Sequence, residues 1–224
     1  MSFQNADALH RELSWSALNS AALGFINADW IECSRHSELI KCLSQSRRTR
    51  AYAVHQLFQD FQLKPLSDQS SVHFPANILQ RGPTFVRNFV FHVGMIGYSE
   101  IVRRSIDGRF KRHFWELVGE SGYRFVSKRA ALYNPGLMVR FVPTPQAGTG
   151  LVTENDIVLV GFRIVSVVLK SCGDDEVVRR ANLMFSVSII EACRQCEDIN
   201  VDARELSILT RMLLKLLTEL DGKP

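Results

Sequence analysis

Between Thr84 and Ser105 two adjoining rows of side chains repeat at helical spacing, Phe85, Phe89, His92 and Ile96 beside Val86, Val90, Val93 and Gly97. Such a pattern fits one long helix, with Asp107 and Gly108 as its stop. Gly94 and Gly97 lie inside it at a propensity cost of roughly 1 kcal/mol each relative to Ala, which predicts another backbone packed closely against that face. No segment shows convincing strand alternation. The chain is therefore expected to be mainly α, a compact multi-helix domain with this helix in its core and two Pro/Gly-rich connecting loops.

Other helical stripes flank this element. Leu9, Leu13, Ala17 and Ala21 recur every four residues, and Leu39, Ile40 and Leu43 form a stripe behind Trp30 and Ile31. From Arg50, the set Ala53, Val54, Leu57, Phe58 and Phe61 keeps helical spacing until Pro65 closes it. Residues 65–83, punctuated by Pro65, Ser67, Asp68, Ser70, Ser71, Pro75, Gly82 and Pro83, read as a linker loop. Phe110 to Val118 predicts a helix joined through Gly119 and Gly122 to another around Phe125 to Leu132, and Asn134 to Gly150 reads as a second long loop. The run from Ile157 to Leu169 is rich in Val and Ile and suits a buried strand or a buried helix by periodicity alone. Its length and the cap-like spacing of Thr153 and Asp156 favour helix. Val177 to Arg194 continues helically, and Asp202, three residues before Glu205, opens an amphipathic helix through Leu206, Leu209, Leu213, Leu216, Leu217 and Leu220. The division that follows is an N-terminal helical subdomain over 1–64, the linker 65–83 and a main domain over 84–224, or one continuous domain.

Composition narrows the functional classes. With 46% hydrophobic and 22% charged residues among 224, the chain is neither disordered nor low-complexity, and a net charge of +4 permits an acidic partner without demanding nucleic acid. Five Cys is a sparse, odd number in a chain long enough to need no staples, so a reducing, cytoplasmic setting is expected. The first thirty residues carry Asp7, Arg11, Glu12 and Asp29 and do not read as a signal peptide. Arg163 interrupts the strongest apolar stretch, itself too short for a bilayer span.

The sequence holds no nucleophile elbow, H-E-x-x-H pair, G-x-G-x-x-G fingerprint or complete phosphate loop. A non-enzyme with no cofactor, metal or small-molecule substrate is expected. Cys193 and Cys196 form a C-x-x-C, but late in a helical pattern, and all six His lie earlier in the chain, so two thiols on a helix are the plainer reading. His92 reads as a core histidine with a hydrogen-bond partner. Arg103, Arg104, Arg109, Lys111 and Arg112 crowd one short stretch with Asp107 opposing, interleaved with Phe110, Phe114 and Trp115. Cations beside aromatics can meet phosphates and stacked bases, which makes a basic helical nucleic-acid-binding regulator the alternative function. Against it, the aromatics fall where a helix buries them. Arg47, Arg48 and Arg50 form a smaller basic group that reads as a solvated face.

The stretch from Arg87 to Tyr133 contains an apolar helix with glycines over Phe89 to Gly97, an Ile-Arg-Arg type junction at Ile101 to Arg104, a short helix over Phe110 to Val118 and a basic-aromatic segment over Tyr123 to Arg129. In these features it resembles the K component of bacterial type III secretion sorting platforms, the SctK family that includes YscK and PscK. The Pro-rich approach over residues 65–83 is similar too, and the resemblance covers about a third of the chain. It implies a helical, non-enzymatic adaptor that docks the sorting-platform pods to the cytosolic domain of the inner-membrane ring, between the ring protein SctD and the pod protein SctQ. It also implies a cytoplasmic protein peripheral to the inner membrane through the secretion apparatus, with no nucleic acid among its partners. On that reading the cations Arg103, Arg104, Arg109, Lys111 and Arg112 are the candidate partner contact.

Overall fold

The structure, a computed structural model, describes residues 19, 22–66, 74–133, 135–143, 151–196 and 199–222. The fold is mainly α, and no strand occurs among the described residues. In chain order the helices are α1 (Ala22–Phe25), α2 (Ala28–Cys33), α3 (Ser37–Ser44), α4 (Arg50–Asp60), α5 (Pro83–Arg104), α6 (Gly108–Arg124), α7 (Pro135–Met138), α8 (Glu154–Lys170), α9 (Asp175–Leu183), α10 (Val187–Gln195) and α11 (Ala203–Asp221). Short 3₁₀ turns cover Ala76–Arg81, Ala130–Tyr133 and Val139–Phe141, and a π turn covers Phe125–Arg129. No described helix is long and apolar enough to cross a membrane. The expected first stripe, Leu9 to Ala21, lies outside the described residues.

Contacts divide the chain into two compact units. One holds the described residues up to Arg87 together with Leu169–Ile190; the other holds Asn88–Val168 and the described residues from Glu191 onward. In the first, Ile26, Ile40, Ala53, Leu57, Leu63 and Leu183 form an apolar core that Trp30, Phe58 and Phe61 close over. The one helical segment expected behind Trp30 and Ile31 through Leu43 is two helices, α2 and α3, separated at Ser34 to His36. Helix α4 keeps its predicted stripe, burying Ala53, Val54 and Leu57, and ends before Pro65 with Gln62 in the left-handed region. His36 and Asp60 tie the two ends of α3 and α4 together, Nδ1 to Oδ1 at 2.8 Å, and Gln56 donates to the same carboxylate oxygen at 3.1 Å. Burial pushes the Asp60 carboxyl up, but the hydrogen bonds from His36 and Gln56 outweigh it and hold it below its ordinary range.

The single helix expected over Val177 to Arg194 is two, α9 and α10. Three successive carbonyls at the break are taken by groups from elsewhere in the same unit: Leu183 O accepts the Asn27 N–H at 2.7 Å, Met184 O the Arg87 Nε–H at 3.0 Å, and Phe185 O the Trp30 Nε1–H at 2.8 Å. Carbonyls turned toward these outside donors are drawn off the axis along which an α-helical ladder would continue. Arg180, 8% exposed, then fastens α9 to its surroundings, bonding Glu176 at 3.0 Å, Asn19 at 3.2 Å and the Lys64 carbonyl at 2.9 Å while stacking over the Phe58 ring.

Helix α5 begins within the first unit at Pro83, whose fixed φ suits the first helical position, and in the second unit is enclosed almost all round from Phe89 to Ser99. The close backbone approach predicted at its glycines is real and reciprocal. A Cβ on Gly94 would overlap the Ile157 carbonyl, and a Cβ on Gly161 would overlap the Val90 carbonyl, so α5 and α8 meet backbone to backbone. Gly97 faces Val160 on the same contact. Helix α8 starts with the predicted cap: Thr153 N donates to Asp156 Oδ2 at 2.8 Å and Asp156 N to Thr153 Oγ1 at 3.2 Å. Helix α11 starts with a full capping box between Asp202 and Glu205.

Two expectations here need correction. Residues 134–150 are not loop throughout, because Pro135, Met138 and Phe141 sit at three-residue spacing and bury together as α7 and a 3₁₀ turn, with the Phe141 carbonyl accepting from the buried Arg163 at 2.6 Å. Gly122 is no linker either. Helix α6 runs through it, and the break falls at Gly119, whose φ of +73° a side chain adopts only with strain.

Candidate functional site

The five cations singled out in the sequence lie on either side of one three-residue turn. Arg103 and Arg104 occupy the last turn of α5, where positive charge complements the helix C-terminus, and Arg109, Lys111 and Arg112 occupy the first turn and a half of α6. Between them Ser105, Ile106 and Asp107 reverse the chain. The turn is held by Asp107, which caps α6 by accepting the Arg109 N–H at 2.8 Å, and by Ser105 Oγ, which accepts the Asp107 N–H at 3.2 Å. Its one carboxylate is thus turned to the backbone.

Beneath this corner the aromatics form its support. Phe114 is fully buried, with its ring 6.2 Å from Tyr98 of α5 and 6.3 Å from Phe110. Burial, reinforced by the charge of Asp156, pushes the Tyr98 hydroxyl above its ordinary range, so it stays neutral. His113 bonds the Val152 carbonyl at 2.7 Å and ties α6 to the segment that leads into α8. A rigid aromatic seam therefore carries a turn whose cations point outward.

Arg103, Arg104, Arg109 and Arg112 are exposed and Lys111 is half-buried. Among the described residues, Arg104 pairs with Glu100, and the other four cations have no ion-pair partner. The expected burial of the interleaved aromatics holds for Phe114 and in part for Phe110, whereas Trp115 is 46% exposed on the outer face of α6. The sequence reading missed Ile106. It stands at the tip of the turn, 103% exposed against 68% for Tyr52 and 63% for Leu132, the next among the exposed apolar side chains. An isoleucine among Arg-Arg-Ser and Asp-Gly-Arg was the available signal, since a turn at that position calls for a polar residue.

Other candidates resolve as follows. His92 is partly exposed rather than core, bonding the Asn88 carbonyl at 2.8 Å and meeting the Phe125 ring edge-on, because its helix turns that face toward the Phe125 segment instead of the interior. Cys193 and Cys196 are partly exposed at the end of α10, Cys172 is exposed, and no three His, Cys, Asp or Glu side chains among the described residues gather as a metal site. Arg47, Arg48 and Arg50 are exposed in the first unit. An apolar cleft there, lined by Phe25, Ile26, Leu66, Leu79, Leu183 and Met184, has Arg180 in its wall, already engaged by Glu176 and Lys64. Compared with known proteins, the chain matches no family model, no curated protein and no solved structure.

Proposed function

We propose that the protein is a non-enzymatic adaptor of a bacterial type III secretion sorting platform, a K-component protein linking the pod protein SctQ to the cytosolic domain of the ring protein SctD. The reading rests on the resemblance over Arg87 to Tyr133, and the observation that carries it furthest is the cationic turn within that stretch. A set of outward cations on an aromatic-backed, capped corner is a surface prepared for an acidic protein face, because complementary charge steers encounter and sets register. The protein then works in the cytoplasm, peripheral to the inner membrane through the apparatus it joins.

The burial of Phe114 weighs against the alternative of a nucleic-acid-binding regulator. A base-stacking platform needs exposed rings beside its cations, and of the three aromatics only Trp115 offers a substantial face.

The test is charge reversal at Arg109, Lys111 and Arg112 together, with tagged chain recovered from cells that carry the secretion apparatus. Loss of SctQ or SctD from the recovered material at unchanged melting temperature is expected. Undiminished recovery would reject the corner as the contact.

A further inference from the structure

Exposed ion pairs are worth at most about 1 kcal/mol each, so five surface cations steer a partner better than they hold one. Stable docking takes a desolvated apolar centre ringed by polar groups. Ile106 supplies the missing element. It projects fully into solvent from the middle of the cationic set, on a turn held by two side-chain hydrogen bonds, so little order is lost when it is buried by a partner. Isolated exposed apolar side chains are ordinary on protein surfaces, but this one occupies a turn tip with Arg103 and Arg104 on one side and Arg109 and Arg112 on the other.

The same face of α6 changes sign along its length. Arg109 and Arg112 are followed at helical spacing by the exposed carboxylate of Glu116, ahead of the break at Gly119. A uniformly anionic surface, whether bilayer or nucleic acid, would attract the first half of this face and repel the second. A folded protein can match both halves.

We infer that Ile106 is the apolar anchor of this docking surface, seated in a socket of a protein partner whose rim is acidic opposite Arg103, Arg109 and Arg112 and basic opposite Glu116. The inference rests on the adaptor reading for the identity of the partner, and adds the residue that holds it and the charge pattern that selects it.

The experiment measures binding of purified full-length chain to purified SctQ and to the purified cytosolic domain of SctD, with phosphatidylglycerol vesicles and duplex DNA as competing probes. Ile106→Ser is expected to weaken binding of the protein partner roughly 10- to 100-fold at unchanged melting temperature, since the side chain contacts solvent in the free protein. Ile106→Leu should stay within about threefold of the parent, because its apolar area is conserved. Glu116→Lys should weaken protein binding, where a uniformly anionic ligand would be bound more tightly. If neither protein binds the parent chain, the adaptor reading fails and the inference falls with it. If a protein binds and Ile106→Ser binds equally well, the adaptor reading stands and the anchor is wrong. Vesicle or DNA binding that is strengthened by Glu116→Lys, with protein binding unmoved, would overturn the protein socket.

Discussion

Replacing Gly94 by Ala tests the packing on which the second unit is built. The added methyl would overlap the Ile157 carbonyl oxygen and stand 2.8 Å from its carbonyl carbon and 2.9 Å from its Cγ2. Carbon atoms in contact prefer about 3.5 to 4.0 Å, so α5 and α8 must part locally by about 1 Å, and the obstacle is helix backbone that no rotamer change relieves. Overpacking of this kind costs roughly 3 kcal/mol, while Ala gains about 1 kcal/mol over Gly in a helix interior, for a net loss near 2 kcal/mol. For a chain of this size that lowers the melting temperature by roughly 4 to 8 °C. Gly161→Ala should cost as much, since its Cβ would overlap the Val90 carbonyl. The double substitution should cost less than the sum, because the first already separates the helices that the second would push apart. Gly24, with open space where its Cβ would stand, is the control and should gain slightly as Ala. Thermal unfolding of the four variants decides the matter. Gly94→Ala behaving like Gly24→Ala would refute the backbone contact.

Phe89 is fully buried, and Phe89→Ala should destabilise by about 3 to 5 kcal/mol in denaturant unfolding, a near-neutral shift placing it on the wrong face. Arg180→Met should cost roughly 3 kcal/mol or more, because it leaves Glu176 and the Lys64 carbonyl without their donor; adding Glu176→Leu should recover part of the loss, and no recovery would mean that the pair is not coupled. The lowered carboxyl of Asp60 contributes stability that is complete above its unfolded value of 3.8 and is lost as pH falls through the lower folded value. Stability of the parent and of Asp60→Asn should therefore differ at neutral pH and converge on acidification, and a gap that widens as pH falls would reverse the sign of the argument.

Local chemistry made much of the fold legible. The long helix, its Gly-marked contact face, and the caps at Thr153 and Asp202 follow from spacing and hydrogen-bonding preference that act within a few residues. The helix over the Val-rich run was legible in the same way, from its length and from the spacing of Thr153 and Asp156. The break between α9 and α10 was not legible, because it is made by Asn27, Trp30 and Arg87, which are distant in sequence from the carbonyls they bind. Residues 135–141 looked like loop because Pro and Gly punctuate them, yet Met138 and Phe141 carry enough apolar surface to fold the segment inward. At the candidate site, charge was visible in the sequence and shape was not. The cations could be counted and the burial of Phe114 expected, but that Ile106 and Trp115 face solvent depends on how α6 is rolled against Tyr98.

The adaptor reading is tested most directly by titrating the purified full-length chain with SctQ, with the cytosolic domain of SctD and with duplex DNA, each across a series of salt concentrations. The account predicts saturable binding to at least one of the two proteins with a shallow salt dependence, since an apolar anchor survives screening, and only weak DNA binding that fades steeply with salt. Tight DNA binding with no affinity for either protein would contradict it and leave the basic corner to nucleic acid.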